Sequence, residues 1–393
     1  MISLKTADNA LKNVYLEVVN NQLNNELDPF YSKIEKTSQD ITGKEIKKMV
    51  AIGINGGIGA GAEDGGLPKA QENNYAVLTS TLKNMYGQLE ISDKALRASQ
   101  HDSGAFLNLL NSEMENLIES SKFNLKRMIY GTGSTILSQN RDINPSSSVY
   151  QVKDARKFMI GMRINGIDGT EEVVSYLNNA EIIDVDYENN TITFDSMHAF
   201  PEDYEDDYLE FHLATSMSDE ILGLGAVFNS DKILNLYGLD RNHNSFLNAY
   251  LQTIQEENFT YIDVLKAIDD IRMNYNGNID FIVCGHKWRR EYQKLLKSFT
   301  LNTDIVNLEG GYRAISVNGV PVIANRFTPD NYAYFIDSST FSMHQLCDWT
   351  WLSNDRGEVL RQKEGYAAHT ATLVKYCDLI CNRPNRNGMI VLS

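Results

Sequence analysis

Cysteine is scarce in this sequence: Cys284, Cys347, Cys377 and Cys381 are the four in 393 residues. No two of them form a C-x-x-C pair, which removes the usual framework of a structural zinc site. Cys377 and Cys381 fall in an apolar, strand-like stretch from Thr372 to Ile380 and its flank, and read as buried free thiols. Long apolar runs are missing too. Nothing approaches the ~20 residues of a membrane-spanning helix. Met1 to Ala10 holds Lys5 and Asp8 but no apolar core of signal-peptide length. The chain is therefore expected to be soluble, cytoplasmic when made, and without a membrane partner. Positive charge is in deficit: 36 Lys and Arg face 52 Asp and Glu, a formal net charge of -16. Proteins that grip nucleic acid do so by neutralising phosphates with Lys and Arg. An extensive DNA-gripping surface is excluded, while a local basic patch is not.

What is present is ordinary globular composition, with 42% hydrophobic and 22% charged residues. The length predicts two or three domains. Leu4, Leu11, Val14, Tyr15, Val18 and Leu23 recur at helical spacing, and Asp28-Pro29 is expected to stop that helix. A long hairpin follows. Its first strand is Lys44 to Ile54. Its second is Tyr75 to Ser92, where Met85, Gly87, Leu89 and Ile91 alternate with polar neighbours. The tip between them holds Gly56, Gly57, Gly59, Gly61, Gly65, Gly66, Pro68 and Lys69. It offers much backbone freedom and little side chain with which to build a core. Asp102 or Ser103 can cap a helix running to Met128 or Ile129, with Gly131 as its stop. Such a helix spans roughly 40 Å at 1.5 Å per residue.

Further along, 150–197 reads as a small β module of about four strands, and an acidic loop from Glu202 to Glu210 follows it. The last third is mixed. Thr260 and Asp263 open a helix through Ile271, Asp280 to Cys284 is a strand, and His286 to Phe299 is a helix. Asn318-Gly319 turns a hairpin within Arg313 to Asn325, Tyr332 to Ile336 is another strand, and Trp349 to Leu392 reads as long closing strands. The fold class is α+β.

Three stretches invite a chemical reading. Gly57 to Ala62 fits G-x-G-x-x-A after a strand, as a dinucleotide-dependent enzyme would require. That fingerprint needs a helix to start there, and Glu63-Asp64-Gly65-Gly66-Leu67-Pro68 cannot open one. The Glu202–Glu210 cluster offers oxygens to Ca²⁺ but lacks EF-hand spacing and its turn glycine, so a solvated loop is favoured. Cys284-Gly285-His286 suggests a nucleophile and a base, yet neighbours at a strand-to-helix junction rarely point at each other, and no orienting acid is identifiable. The seven histidines show no H-x-x-x-H spacing, and neither a Walker motif nor a G-x-S-x-G elbow is present. No catalytic residue, cofactor or metal site is assigned. A ribbon and an arm without a core of their own imply burial against another subunit instead, because a two-stranded ribbon is marginal alone in water.

The ordered combination of these elements resembles the major capsid proteins of tailed bacteriophages, with the Hong Kong 97 fold. The residues that carry it are the arm Leu4 to Lys12, the hairpin Ile54 to Pro68, and Gly87 to Leu96. Val317-Asn318-Gly319-Val320-Pro321-Val322, followed by Tyr332 to Asp337, completes it. The resemblance covers nearly the whole chain except about 150–197. It implies an N-terminal arm at 1–43, with Leu4, Leu11, Val14 and Tyr15 meeting other subunits. It also implies an extended loop at 44–92 whose Gly-rich tip lies over a neighbour. A peripheral domain at 93–149 and 198–244 would hold the spine helix, an axial domain would occupy 245–345, and 346–393 would return to the peripheral domain. The module at 150–197 would be an insertion.

As function, the resemblance implies hexamers and pentamers closing an icosahedral shell around packaged double-stranded DNA, without sequence-specific binding. Its partners would be copies of itself, a portal, a separate scaffolding protein (the arm begins at Met1) and a decoration protein. Some members cross-link a loop Lys to an Asn of a neighbour. Lys69 lies near the tip, but neither a partner Asn nor an assisting Glu is identifiable, and an activated Lys needs a specific desolvated setting. An encapsulin-like compartment shares the fold and is the alternative.

Overall fold

The computed structural model describes the chain outside residues 1–10, 25–27, 54, 62, 64, 66–68, 70–71, 95–102, 141–147, 169–176, 196–208, 215, 217–219, 230–232, 299–304 and 308–312. It divides into two compact units, one of residues 1–129 and 222–393 and one of residues 130–221.

The first unit begins with a π-helical turn, Leu11–Tyr15, running into the α-helix Leu16–Asn24. Asp28-Pro29, expected to end a helix, starts one. The Asp28 carboxylate accepts the Phe30 N–H at 2.9 Å as an N-cap of Pro29–Lys33, and Pro29 takes the first helical position, where its missing N–H costs nothing.

The expected hairpin forms, but its second strand is two. Tyr75–Thr81 pairs antiparallel with Glu45–Ala51, whereas Lys83–Ser92 pairs with Ala368–Cys381 in another sheet. Burial records the break. Leu78 and Ser80 are buried before Leu82, and Lys83, Met85, Leu89 and Ile91 after it, so the alternation changes phase there. A one-residue change of phase turns the strand over.

Lys83–Ser92 lays its buried face on the spine helix Ser103–Ile129, which buries Leu110, Met114, Ile118, Leu125 and Met128. Gly87 admits this packing, because a Cβ there would lie 3.0 Å from Leu117 Cδ1 and 3.4 Å from Ser121 Oγ. The sheet beneath runs in the order Glu35–Thr37, Phe341–Trp351, Ala368–Cys381 and Arg361–Gln362, with Lys83–Ser92 also on Ala368–Cys381.

A seven-stranded mixed sheet takes most of the remaining chain. Its order is Tyr250–Ile254, Gly388–Leu392, Tyr332–Ile336, Phe281–Cys284, Val320–Ala324, Arg313–Val317, Ile305–Asn307. The closing strand of the chain therefore sits between Tyr250–Ile254 and Tyr332–Ile336, in the company of 245–345. On one face pack the helices Tyr261–Tyr275 and His286–Ser298 through Val264, Ala267, Ile271, Trp288 and Tyr292. On the other, Phe228 stacks on Tyr334 at 4.7 Å. The local signals hold. Thr260 and Asp263 form the capping box, and Asn318 (φ 48°) and Gly319 (φ 82°) make the left-handed hairpin turn.

The second unit is a six-stranded sheet ordered Ile136–Asn140, Leu209–Leu213, Arg163–Asp168, Ala180–Asp186, Thr191–Phe194, Val149–Gln151. Its two edge strands are tied to each other. Ser138 Oγ accepts the Lys153 N–H at 3.0 Å, and the Asn140 side-chain amide donates to the Gln151 carbonyl. Phe158, Ile164, Ile182, Ile192, Phe194 and Phe211 fill the interior. The inserted unit takes in more chain than 150–197, because strands on both sides of that stretch complete its sheet.

Candidate functional site

The hairpin has two unlike faces. Residues pointing one way along Glu45–Ala51 and Tyr75–Thr81 include Ile46, Val50, Leu78 and Ser80, all buried. Two polar anchors sit on this face. Lys48 Nζ donates to Ser342 Oγ at 3.0 Å and lies 3.4 Å from His344 Nε2. Ser80 Oγ donates to Asp378 Oδ2 at 2.5 Å. His344 and Asp378 are cross-strand partners, both fully buried, so each strand of the ribbon holds one member of a single buried pair.

Electrostatics follows from this burial. His344 Nδ1 lies 3.0 Å from the Gln39 carbonyl, which can only accept, so Nδ1 carries the proton and Nε2 faces Lys48 and Ser342 (3.1 Å) with its lone pair. Burial holds its pKa below the ordinary value; the Gln39 bond, Asp40 and Glu35 oppose this and Lys48 adds to it. Burial pushes the Asp378 carboxyl up to about 6, against the pull of Ser80, the Leu222 and Leu379 N–H groups at 3.0 Å, and Lys83. Backbone contacts complete the root: the Thr79 N–H donates to the Tyr237 carbonyl at 2.9 Å, and the Arg383 guanidinium donates to the Ala51 carbonyl.

The opposite face begins with the Lys47–Glu45 ion pair at 2.9 Å and becomes apolar and open toward the tip. Met49 and Val77 are cross-strand partners, as are Ala51 and Tyr75, and Met49, Tyr75 and Val77 are 65%, 54% and 44% exposed. At the tip, Gly56, Gly59, Gly61, Gly65 and Lys69 are exposed and Gly57 partly so, its N–H donating to Asn55 Oδ1 at 2.8 Å. Gly66 and Pro68 lie outside the described residues. Ile58 is 87% exposed. Among the described residues from 52 to 74 no helix starts, so the G-x-G-x-x-A match lacks the helix N-terminus that pyrophosphate binding uses.

The arm divides differently. Leu4 and the side chain of Val14 lie outside the described residues. Leu11 is fully buried within its own subunit, where Trp351 Nε1 donates to its carbonyl at 2.9 Å. The Tyr15 hydroxyl donates to Asn111 Oδ1 on the spine helix. Leu11 and Tyr15 are thus engaged at home, and among the described residues of the arm the exposed large apolar side chain is Val18. Met49, Tyr75 and Val77 are the surface residues that sequence reasoning missed. Their signal was the apolar residues at 49 and 77 among polar neighbours on the face opposite Leu78, in strands read only for their buried side.

The chemical candidates dissolve into structure. Cys284 is fully buried with its thiol pKa raised by burial, and its Sγ donates to the Ile323 carbonyl at 3.5 Å. Gly285 marks a close backbone approach, since a Cβ there would lie 2.2 Å from the Pro329 carbonyl oxygen. Burial likewise pushes the Cys377 and Cys381 thiols up to about 12. Glu202 to Asp207 lie outside the described residues, and Glu210 accepts from Gln139 at 3.0 Å. Among the described residues no group of three or more His, Cys, Asp or Glu could hold a metal ion, and no helix is long and apolar enough to cross a membrane.

No family model matches the chain, and no curated protein matches it in sequence. Solved structures do match it in fold. A chain of the cyanophage A-1(L) capsid asymmetric unit is 11% identical with a TM-score of 0.52, over 94% of this chain and 91% of that one. The holo-SrpI encapsulin complex from Synechococcus elongatus PCC 7942 gives 9% identity and a TM-score of 0.47, covering 93% and 88%. The capsid of a native GTA particle gives 9% and 0.46, covering 93% and 90%. The cyanophage likeness establishes the fold: this is the α+β capsid fold of the Hong Kong 97 type, along nearly the full chain.

Proposed function

We propose that this chain is the major capsid protein of a tailed bacteriophage, located in the virion. It assembles into hexamers and pentamers of an icosahedral head around packaged double-stranded DNA. The observation that carries the reading is the ribbon: one face is anchored by buried polar bonds, the other presents Met49, Tyr75 and Val77 to solvent. A surface held in shape with an apolar face uncovered is built for another protein. The capsid fold supports copies of this chain as that protein. The ribbon within 44–92 acts as the extended loop, and its tip, Gly56 to Lys69, reaches a neighbour. The arm 1–43 adds contacts beyond the residues engaged at home. The seven-stranded sheet corresponds to the axial domain, and the sheet on the spine helix to the peripheral domain.

The role is structural, without catalysis or a cofactor. Further partners are a scaffolding protein, a portal and a decoration protein, with assembly in the host cytoplasm. Nuclease-treated particles, purified from cells that also express the neighbouring gene products, test the reading through their contents. Protected double-stranded DNA is expected. An enzyme cargo in place of DNA would transfer the chain to the encapsulin class.

A further inference from the structure

The outermost strands of a β-sheet hold unpaired backbone groups that another chain can use. In the second unit the edge strands are tied to each other through Ser138 and Asn140. At one edge of the sheet on the spine helix, Glu35–Thr37 carries two charges in its three residues, a common guard against stray pairing. The seven-stranded sheet differs. Its outermost strands are Tyr250–Ile254 and Ile305–Asn307, and neither holds a charge or a proline. Tyr250–Ile254 runs parallel to Gly388–Leu392. The Tyr250 N–H donates to the Asn387 carbonyl and the Ile254 carbonyl accepts the Ser393 N–H, both at 2.9 Å. Every second residue of a strand bonds to the same side. Tyr250, Gln252 and Ile254 therefore face the neighbouring strand, and Leu251 and Thr253 turn their N–H and C=O groups to the outer edge. Among the described residues nothing takes up these four groups, and both residues are exposed, Leu251 by 39%. Between Tyr250–Ile254 and Ile305–Asn307 the sheet has two parallel and four antiparallel pairings, so its two outer strands run in the same direction.

We propose that the open edge of Tyr250–Ile254 pairs with the strand Ile305–Asn307 of a second copy of this chain, as parallel strands, so that the sheet continues from subunit to subunit. The proposal rests on the capsid reading above and deepens it by naming a contact distinct from the ribbon, with both of its surfaces. A heterologous contact joins unlike surfaces of identical subunits. The two ends of this sheet are unlike, run the same way, and each offers backbone donors and acceptors. Repeated around a rotation axis, every copy lends one edge and receives the other. Joining like edges would instead stop at a pair. Strand addition of this kind draws its affinity from main-chain hydrogen bonds, which suits an edge whose outward residues are Leu251 and Thr253.

The test uses particles of the full chain, first seen by electron microscopy. Absence of particles at that stage would overturn the capsid reading and this pairing with it; the outcomes below overturn the pairing alone. Hydrogen exchange needs no variant. The Leu251 and Thr253 amides should exchange fast in dissociated subunits and slowly in particles, read on a peptide spanning both. Equal exchange in the two would show that the edge stays open. Cross-linking then names the partner strand. Thr253→Cys is combined in turn with Ile305→Cys, Val306→Cys and Asn307→Cys. Within one copy the two strands lie six spacings apart, roughly 29 Å at ~4.8 Å each, beyond the reach of a disulfide. Oxidised particles of at least one pair should therefore give a ladder of linked chains in a non-reducing SDS gel. Wild-type particles supply the background from the half-buried Cys347. Dimers from Thr253→Cys alone would show that like edges meet. Monomer from all three pairs would show that something else covers the edge. Either result overturns the assignment.

Discussion

Asp378 shows how a single buried residue sets a pH dependence. Its carboxyl receives three hydrogen bonds, from Ser80, Leu222 and Leu379, and is fully buried; burial wins, pushing its pKa up to about 6. A carboxyl whose folded pKa lies above its unfolded value of 3.8 favours the fold most when protonated. That contribution is complete below about pH 4 and is lost as pH rises through about 6. Asp378→Asn should therefore flatten the stability profile between pH 4 and 6 relative to the wild type. The difference, on the order of 3 kcal/mol across that window, is read from denaturant midpoints at each pH. Equal slopes in the two proteins would refute it. Gly285 is a second residue whose type is dictated. With a Cβ 2.2 Å from the Pro329 carbonyl oxygen and 2.5 Å from Asp330 Cα, only glycine fits between the strand Phe281–Cys284 and the helix that follows. Gly285→Ala should cost at least ~2 kcal/mol by forcing backbone apart, measured as a lower midpoint of chemical unfolding. Full stability would show that the loop at Pro329 yields freely.

At the scale of elements, the ribbon separates stability from assembly. Its inner face is held by Ile46, Val50 and Leu78 and by the Lys48 and Ser80 anchors; on its outer face Met49, Tyr75 and Val77 are exposed, and the Tyr75 hydroxyl accepts from the nearby Asn73 amide at 3.2 Å. Met49→Ser/Tyr75→Ser/Val77→Ser should leave thermal unfolding of the subunit within ~0.5 kcal/mol per site and yet abolish particles in sedimentation. Loss of folding would show that the face is internal, and normal particles would show that it is not an interface. Much at this scale was legible in the sequence: the spine helix from its apolar period, the Asn318-Gly319 hairpin from its turn residues, and the capping box from Thr260 and Asp263. These signals are local. What stayed hidden is partner choice. Nothing in 75–92 announces that Tyr75–Thr81 and Lys83–Ser92 belong to different sheets except the change of phase at Leu82. Asp28-Pro29 reads equally as a stop or a start until Asn325 is seen donating to Asp28 at 3.0 Å, 297 residues away in sequence. Leu11 reads from the sequence as an intersubunit contact because nothing near it announces its burial or the bond its carbonyl accepts from Trp351, 340 residues away.

The whole molecule is best understood as a subunit that works by its shape. Three of the four thiols, Cys284, Cys377 and Cys381, are buried with their pKa pushed up, and among the described residues from 52 to 74 no helix follows the glycine-rich tip. On the proposed reading, binding energy lies in the exposed apolar patch of Met49, Tyr75 and Val77. Such a heterologous contact yields a closed assembly only when its rotation closes and an open array otherwise. A tip rich in glycine gives one sequence the latitude to meet neighbours in more than one local symmetry.

The most direct measurement is electron microscopy of the purified protein, made together with its neighbouring gene products. Closed icosahedral shells with fivefold and sixfold clusters of this chain are expected. A monodisperse small oligomer under every condition, with no shells, hexamers or sheets, would contradict it.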